Sequence, residues 1–281
     1  MKTIASIAVI VLISSSLVGC GDTKNQANND QPPVQTQQAG NPVSKPDENN
    51  PSSTQEDHNN QDTNLSRYFK PGQSAEINST PEQTTWKMGD VEFVAKKSTT
   101  SITAIQVSHD GSPFDINIPR DISENGSEIT SVALSSSGDY LSINIFITNV
   151  GNQLIVVDLK NGESNTINNL TGLSYETIHA YNWSPMDNRL AFAYGDTSSS
   201  NLAVLDVNLN ELLKIQNNKT LINTLFIMWE KQGDGFDFIS ETSSDQFDLL
   251  RYEESTENVT ELTQIPSGEL SKYSEFGPNN L

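Results

Sequence analysis

The strongest constraint on this 281-residue chain is an internal repeat of 46–49 residues. Its anchors are Trp86, Leu134, Trp183 and Trp229, separated by 48, 49 and 46 positions. Seven residues after each anchor, across a polar turn, an apolar residue opens the next segment: Phe93, Leu141, Leu190 and Phe236. A second short apolar run follows in each repeat, ending near Asn161-Gly162, Asn208 and Glu254, with a looser version before Asp110-Gly111. A unit of this length cannot bury its apolar face alone. It must stack on its neighbours, so the period predicts a modular array.

The runs themselves read as strands. Segments 91–95, 103–107, 141–147, 154–159, 190–194, 202–207 and 247–252 are short and rich in β-branched and aromatic residues, with turn residues between them. Residues 209–215 alone look briefly helical, or else cross a turn. Four strands per 46–49 residues is the build of a propeller blade. Within the third repeat, Ser184-Pro185-Met186-Asp187-Asn188-Arg189-Leu190-Ala191-Phe192 resembles the S-P-D-G-x-x-L-A-F hairpin of TolB-type and WD40-like β-propellers. The second repeat departs from it, with Ser135-Ser136-Ser137-Gly138-Asp139-Tyr140-Leu141, as does the fourth, with Glu230-Lys231-Gln232-Gly233-Asp234-Gly235-Phe236. The resemblance covers residues 84–281 and implies an all-β, β-propeller-like array of about four four-stranded blades, complete or incomplete. An irregular β-sandwich is the competing architecture.

Phe276 falls 47 residues after Trp229, at the place of a fifth anchor, and Gly277-Pro278-Asn279-Asn280-Leu281 resembles the start of another turn. An open fourth blade would leave a strand edge unpaired. Either the chain is shortened relative to longer relatives, the preferred reading, or this tail and residues 67–77 close a four-bladed or open array.

Ahead of the repeats lies a different kind of sequence. Lys2 precedes an apolar run at 4–13 interrupted only by Ser6. Ten helical residues span about 15 Å, half of the roughly 30 Å hydrocarbon core, which suits a signal peptide and not a membrane-spanning helix. Leu17-Val18-Gly19-Cys20 then resembles the lipobox of bacterial lipoproteins. That resemblance implies cleavage before Cys20, a diacylglyceryl thioether on its sulfur, and a lipid anchor on the outer face of the cell membrane, most readily in a Gram-positive bacterium. Two or more acyl chains hold where one is marginal. Residues 1–19 are thus read as the signal peptide, 20–65 as the lipidated Cys and a tether, and 66–281 as the propeller-like domain. Residues 21–65 contain nine Asn, seven Gln, five Pro and no aromatic residue, a composition that cannot offset the entropy of ordering it. Such a spacer reaches roughly 40 Å on average and about 150 Å at full stretch.

Charge narrows the partners. With 16 Lys+Arg against 36 Asp+Glu the net charge is -20; loss of Lys2 with the leader gives 15 − 36 = -21. Nucleic acid is excluded as a partner, because phosphate binding needs a basic surface. A cationic protein or ligand fits. The single Cys forms no internal disulfide, and His58, His109 and His179 show no metal-ligand spacing. Nucleophile elbows, glycine phosphate cradles and calcium-loop patterns are absent; the acidic turns at Asp187-Asn188 and Asp234–Asp237 suit backbone turns better than calcium. No cofactor, metal or catalytic residue is assigned. Trp86, Trp183 and Trp229 occupy equivalent places and read as blade packing in preference to a carbohydrate platform. The expected function is non-catalytic binding of an envelope protein or ligand by a membrane-anchored domain. The alternative is an envelope lyase, lactonase or glycan hydrolase acting at the propeller axis.

Overall fold

The seven-residue interval is the register of a hairpin: Trp86 faces Phe93, Leu134 faces Leu141, Trp183 faces Leu190 and Trp229 faces Phe236 across paired strands. The computed structural model describes residues 64–70, 75–172 and 176–280. Cys20, the leader 1–19 and nearly all of the 20–65 tether lie outside the described residues.

Four antiparallel sheets follow one another along the chain, each a meander. The first contains β1 (Glu76–Ser79), β2 (Gln83–Met88), β3 (Val91–Lys97), β4 (Ile102–His109) and β5 (Ser112–Ile116) in that order. In the second, β6 (Ser127–Leu134), β7 (Tyr140–Ile147), β8 (Gly151–Asp158) and β9 (Ser164–Thr166) pair in sequence. The third is β10 (Thr177–Trp183), β11 (Arg189–Gly195), β12 (Ser200–Asp206) and β13 (Glu211–Ile215). The fourth is β14 (Asn223–Trp229), β15 (Gly235–Ser243), β16 (Gln246–Glu253) and β17 (Asn258–Ile265). This is the propeller-like array of four blades that the repeat implied. The expectation for 209–215 is corrected: 211–215 is the outer strand of blade three, because its backbone pairs with Leu202–Asp206. As an edge strand with Leu213 exposed, it lacks the apolar alternation that would have announced it.

Left-handed glycines set the first hairpin turn of blades two and four. Gly138 and Gly233 adopt left-handed backbones, with φ of 79° and 74°, where a β-carbon is disfavoured. Their N–H groups donate to the Ser135 and Glu230 carbonyls, at 2.9 and 3.0 Å.

Inter-blade packing is sequential. Phe93 and Val107 of blade one pack in one cluster with Ile143 and Ile145 of blade two and with Ile122 of helix α1 (Arg120–Glu124). Leu154 and Val156 meet Ile178 and Phe192 of blade three. Ala191 and Val204 meet Ile227, Phe236 and Leu250 of blade four. The remaining face of blade four, including Met228, Ile239 and Leu249, is covered by Tyr68 and by Tyr273 and Phe276 of the 3-10 helix Ser267–Phe276. Blade one instead turns polar side chains outward, with Gln106 donating to Asp115 at 3.0 Å. Central strands such as β11 are buried on both faces, which is why they read as continuous apolar runs.

The chain ends cross between blades. Tyr68 forms a single antiparallel bridge to Glu230 beyond β14. After the 3-10 helix, β18 (Asn279–Asn280) pairs with Val132 and Ser131 on the free edge of β6. Of residues 67–77, the described ones part company: Tyr68 bridges to blade four, and Glu76 and Ile77 belong to β1, an extra strand on blade one. Among the described residues no helix is long and apolar enough to cross a membrane.

Candidate functional site

Three blades share a defect at the same place. The register of β6 against β7 slips between Ile129 and Ser131, that of β10 against β11 between Ile178 and Ala180, and that of β14 against β15 between Thr224 and Phe226. The extra residues are Thr130, His179 and Leu225, each four positions before its blade's anchor. A bulge twists its strand and re-aims a side chain, and bulges concentrate beside functional sites. Here all three line one cavity of about 230 Å³. No register shift interrupts β2 of blade one, which carries β1 on that edge instead.

The first strands hold this cavity together. The Asn182 side-chain amide on β10 donates to the Ile227 carbonyl on β14 at 2.9 Å, and the Trp229 indole donates back to the Asn182 carbonyl at 3.0 Å. On the other side the Ser131 hydroxyl of β6 lies 3.0 Å from the Tyr181 hydroxyl of β10. Burial pushes the Tyr181 phenol well above its ordinary range, despite the opposing Ser131 and Ser142 hydrogen bonds. The tail completes the wall through Ser274, Gly277 and Pro278, and Asn182 ties it down with a 2.6 Å bond to the Phe276 carbonyl.

The lining divides in two. Ala180, Leu225, Phe226, Ile227 and Pro278 make an apolar side; Thr130, Ser131, Asn144, Asn152 and His179 make a polar one. Asn144 is only 9% exposed, and its Oδ1 has no hydrogen-bond partner. His179 Nδ1 lies 2.7 Å from Asn223 Oδ1, so it donates, and Nε2 is enclosed without a partner. A second groove, sharing Asn152, His179 and Leu225 with the cavity, carries the site outward to Asp196, Thr197, Asn223 and Glu241. Hydrogen bonds from the backbone and hydroxyl of Ser198, and from Ser199, hold the Asp196 carboxyl below its usual range. Next to this rim, Tyr194 is pushed up by burial and by the charge of Glu176.

The residues singled out in the sequence lie elsewhere. Trp86, Trp183 and Trp229 are 0%, 2% and 0% exposed and sit on inter-blade faces, while Leu134 ends β6. Trp183 donates to Ser142 on the preceding blade at 2.9 Å. Phe276 ends a 3-10 helix, not a strand, and meets Tyr68 edge-on at 5.2 Å. The acidic turns are engaged by arginines: Asp187 with Arg189 at 2.6 Å, Asp237 with Arg251 at 2.8 Å. His109 borders Leu159, its Nδ1 3.3 Å from that carbonyl. No group of metal-ligating side chains occurs among the described residues. The bulges were missed by sequence reasoning: Thr, His and Leu share no residue type that would mark the position.

No protein-family model matches the chain, and no curated protein sequence is significantly similar to it. Solved structures are. The chain is similar to TolB from Acinetobacter baumannii, at 18% identity and a TM-score of 0.41 over 62% of this chain and 42% of that one. It is similar to a putative TolB from Agrobacterium tumefaciens, at 12% identity and a TM-score of 0.42 over 70% of this chain and 79% of that one. An oligogalacturonate lyase solved in complex with manganese is similar at 14% identity and a TM-score of 0.41, over 63% and 51%. The chain thus spans less than half the length of the first and about half of the third.

Proposed function

We propose that this protein is an extracytoplasmic lipoprotein, anchored through Cys20 to the outer face of the cell membrane, whose propeller-like domain binds a protein or ligand without transforming it. The observation that carries the binding reading is the ring of three equivalent bulges around one cavity, because three separate strands each deviate to present a side chain there. Non-catalytic binding is favoured by how His179 is held. Its Nδ1 is oriented by the Asn223 amide and its Nε2 meets no nucleophile, so it stands as a binding group and not as half of a nucleophile–base pair. The Cys20 anchor rests on the residue pattern around it, and the 20–65 tether would give the domain room to meet partners in the envelope.

A photo-crosslinking side chain at Thr197, on the rim, tests the binding reading in cells. An adduct that forms from position 197, and disappears when Ala180→Trp fills the cavity, is the expected result. An adduct unaffected by Ala180→Trp, or formed equally from Gln106 on the outward face of blade one, would defeat it. Anchoring is tested separately: Cys20→Ala should move the protein out of the membrane fraction and abolish incorporation of a labelled fatty acid.

A further inference from the structure

The polar atoms left without partners around the cavity have one property in common. Asn144 Oδ1 and His179 Nε2, both in its lining, are enclosed and unpaired, and so is Glu176 Oε2, one residue ahead of Thr177 in the groove lining. A carboxylate oxygen and an amide carbonyl accept hydrogen bonds and do not donate. His179 spends its Nδ1 proton on Asn223, so Nε2 of the neutral ring is an acceptor as well. The region therefore has a surplus of acceptors, and an enclosed acceptor left unpaired is costly. Asn144 is the decisive case, more than nine-tenths buried and part of the cavity wall.

Charge points the same way. Neither the cavity nor the adjoining groove includes a Lys or Arg in its lining, whereas Asp196 and Glu241 stand in the groove and Glu176 directly precedes β10. The opposite wall is apolar, from Leu225, Phe226, Ile227 and Pro278. At about 230 Å³ the space takes a side-chain-sized group and not a whole cofactor.

We infer that the cavity binds an alkylammonium group, with N–H donors facing Asn144 and His179, an aliphatic stem against Leu225–Ile227 and the positive charge within reach of the anionic rim. This inference rests on the binding reading above and gives it a ligand chemistry. Such a group is carried both by a free aliphatic amine and by a lysine side chain of a partner protein.

Titration of the full chain, followed by saturation-transfer NMR, compares n-pentylammonium with n-pentanol, which share a stem and differ in charge and donors. The ammonium should bind saturably and about tenfold tighter, the scale of one charge-assisted hydrogen bond. Asn144→Leu should remove most of that preference. Because Asn144→Leu could unfold the domain, the paired substitution Asp196→Asn and Glu241→Gln serves as the second variant. It keeps the rim's shape and should weaken ammonium binding about threefold without affecting pentanol. Equal binding of the two probes, no binding of either, or full ammonium preference in the paired variant would overturn the inference. A short peptide with one internal lysine, compared with its norleucine counterpart, separates the sources: a lysine peptide that binds tighter than n-pentylammonium assigns the group to a partner protein, and one that fails to bind where n-pentylammonium does assigns it to a small molecule. The wider reading fails on a different result, the loss of rim crosslinking specificity, so the two failures are distinguishable.

Discussion

The Tyr68 hydroxyl donates to the Asp237 carboxylate at 2.6 Å across 169 residues of sequence. Asp237 is fully buried at the start of β15 and also accepts from Arg251 Nε at 2.8 Å and from Arg67. Arg251 turns its other side to Glu230 at 2.8 Å. One buried carboxylate thus joins the segment ahead of β1 to two strands of the last blade. Removing it leaves Arg67 without its counter-charge, the Tyr68 hydroxyl without its acceptor, and Arg251 with Glu230 alone. Asp237→Ala should lower unfolding free energy by about 3–5 kcal/mol, whereas Tyr68→Phe, which spares both ion pairs, should cost about 1 kcal/mol. Urea denaturation monitored by tryptophan fluorescence would measure both. Similar losses for the two variants would show that the carboxylate is not the centre of the junction.

Alkaline pH should weaken the fold through its tyrosines. Tyr68 and Tyr181 are held above the ordinary phenol range, both chiefly by burial, Tyr68 further by Asp237. Above about pH 10 an unfolded tyrosine releases a proton that these two retain, so the unfolded state binds fewer protons and stability falls as pH rises. The contribution is intact below pH 10 and is lost progressively above it, at up to about 1.4 kcal/mol per pH unit for each tyrosine. Tyr181→Phe should flatten that decline by one tyrosine's share. An unchanged slope between pH 10 and 12 would remove Tyr181 from the account.

The anchors are equivalent in place but not in bonding. The Trp183 and Trp229 indoles each donate to the preceding blade, whereas the Trp86 indole nitrogen is buried without a partner. Phenylalanine keeps much of the apolar contact and removes the donor. At position 183 it should therefore cost about 1 kcal/mol more than at position 86, where an unsatisfied donor disappears with the indole. Chemical denaturation of the two single variants decides this, and equal losses would contradict it.

What could be read from the residues, and what could not, follows from range. Each anchor and its partner seven positions later belong to one hairpin, so blade number and register were visible as spacing. The central strands were visible because two-sided burial leaves an unbroken apolar run, as at Leu190–Tyr194. The outer strand 211–215 was not, since edge pairing is satisfied by backbone groups and leaves its side chains free to be polar. The bulges at Thr130, His179 and Leu225 have no shared chemistry, and one extra residue per strand barely disturbs a period that already varies from 46 to 49. Asp237 was read as a turn acid because its partners Arg67 and Tyr68 stand 170 and 169 residues away, beyond any local pattern.

The rim of the cavity has one position that accepts no side chain. Gly195 closes β11 just before the Asp196 turn, and a β-carbon there would overlap the Ser199 backbone carbonyl oxygen. That oxygen belongs to the turn in which Asp196 Oδ1 accepts from the Ser198 and Ser199 N–H groups at 2.7 and 2.9 Å. Gly195→Ala must push the turn away from β11, breaking the Gly195–Ser200 end of the β11–β12 ladder. The strain should cost about 1–3 kcal/mol. Because Asp196 and Thr197 line the groove, the same substitution should also weaken ammonium binding and reduce crosslinking from position 197, while the tryptophan environment far from the rim stays native in near-ultraviolet circular dichroism. A variant as stable as the parent, with unaltered crosslinking, would mean that the rim turn is free to move and does not shape the site.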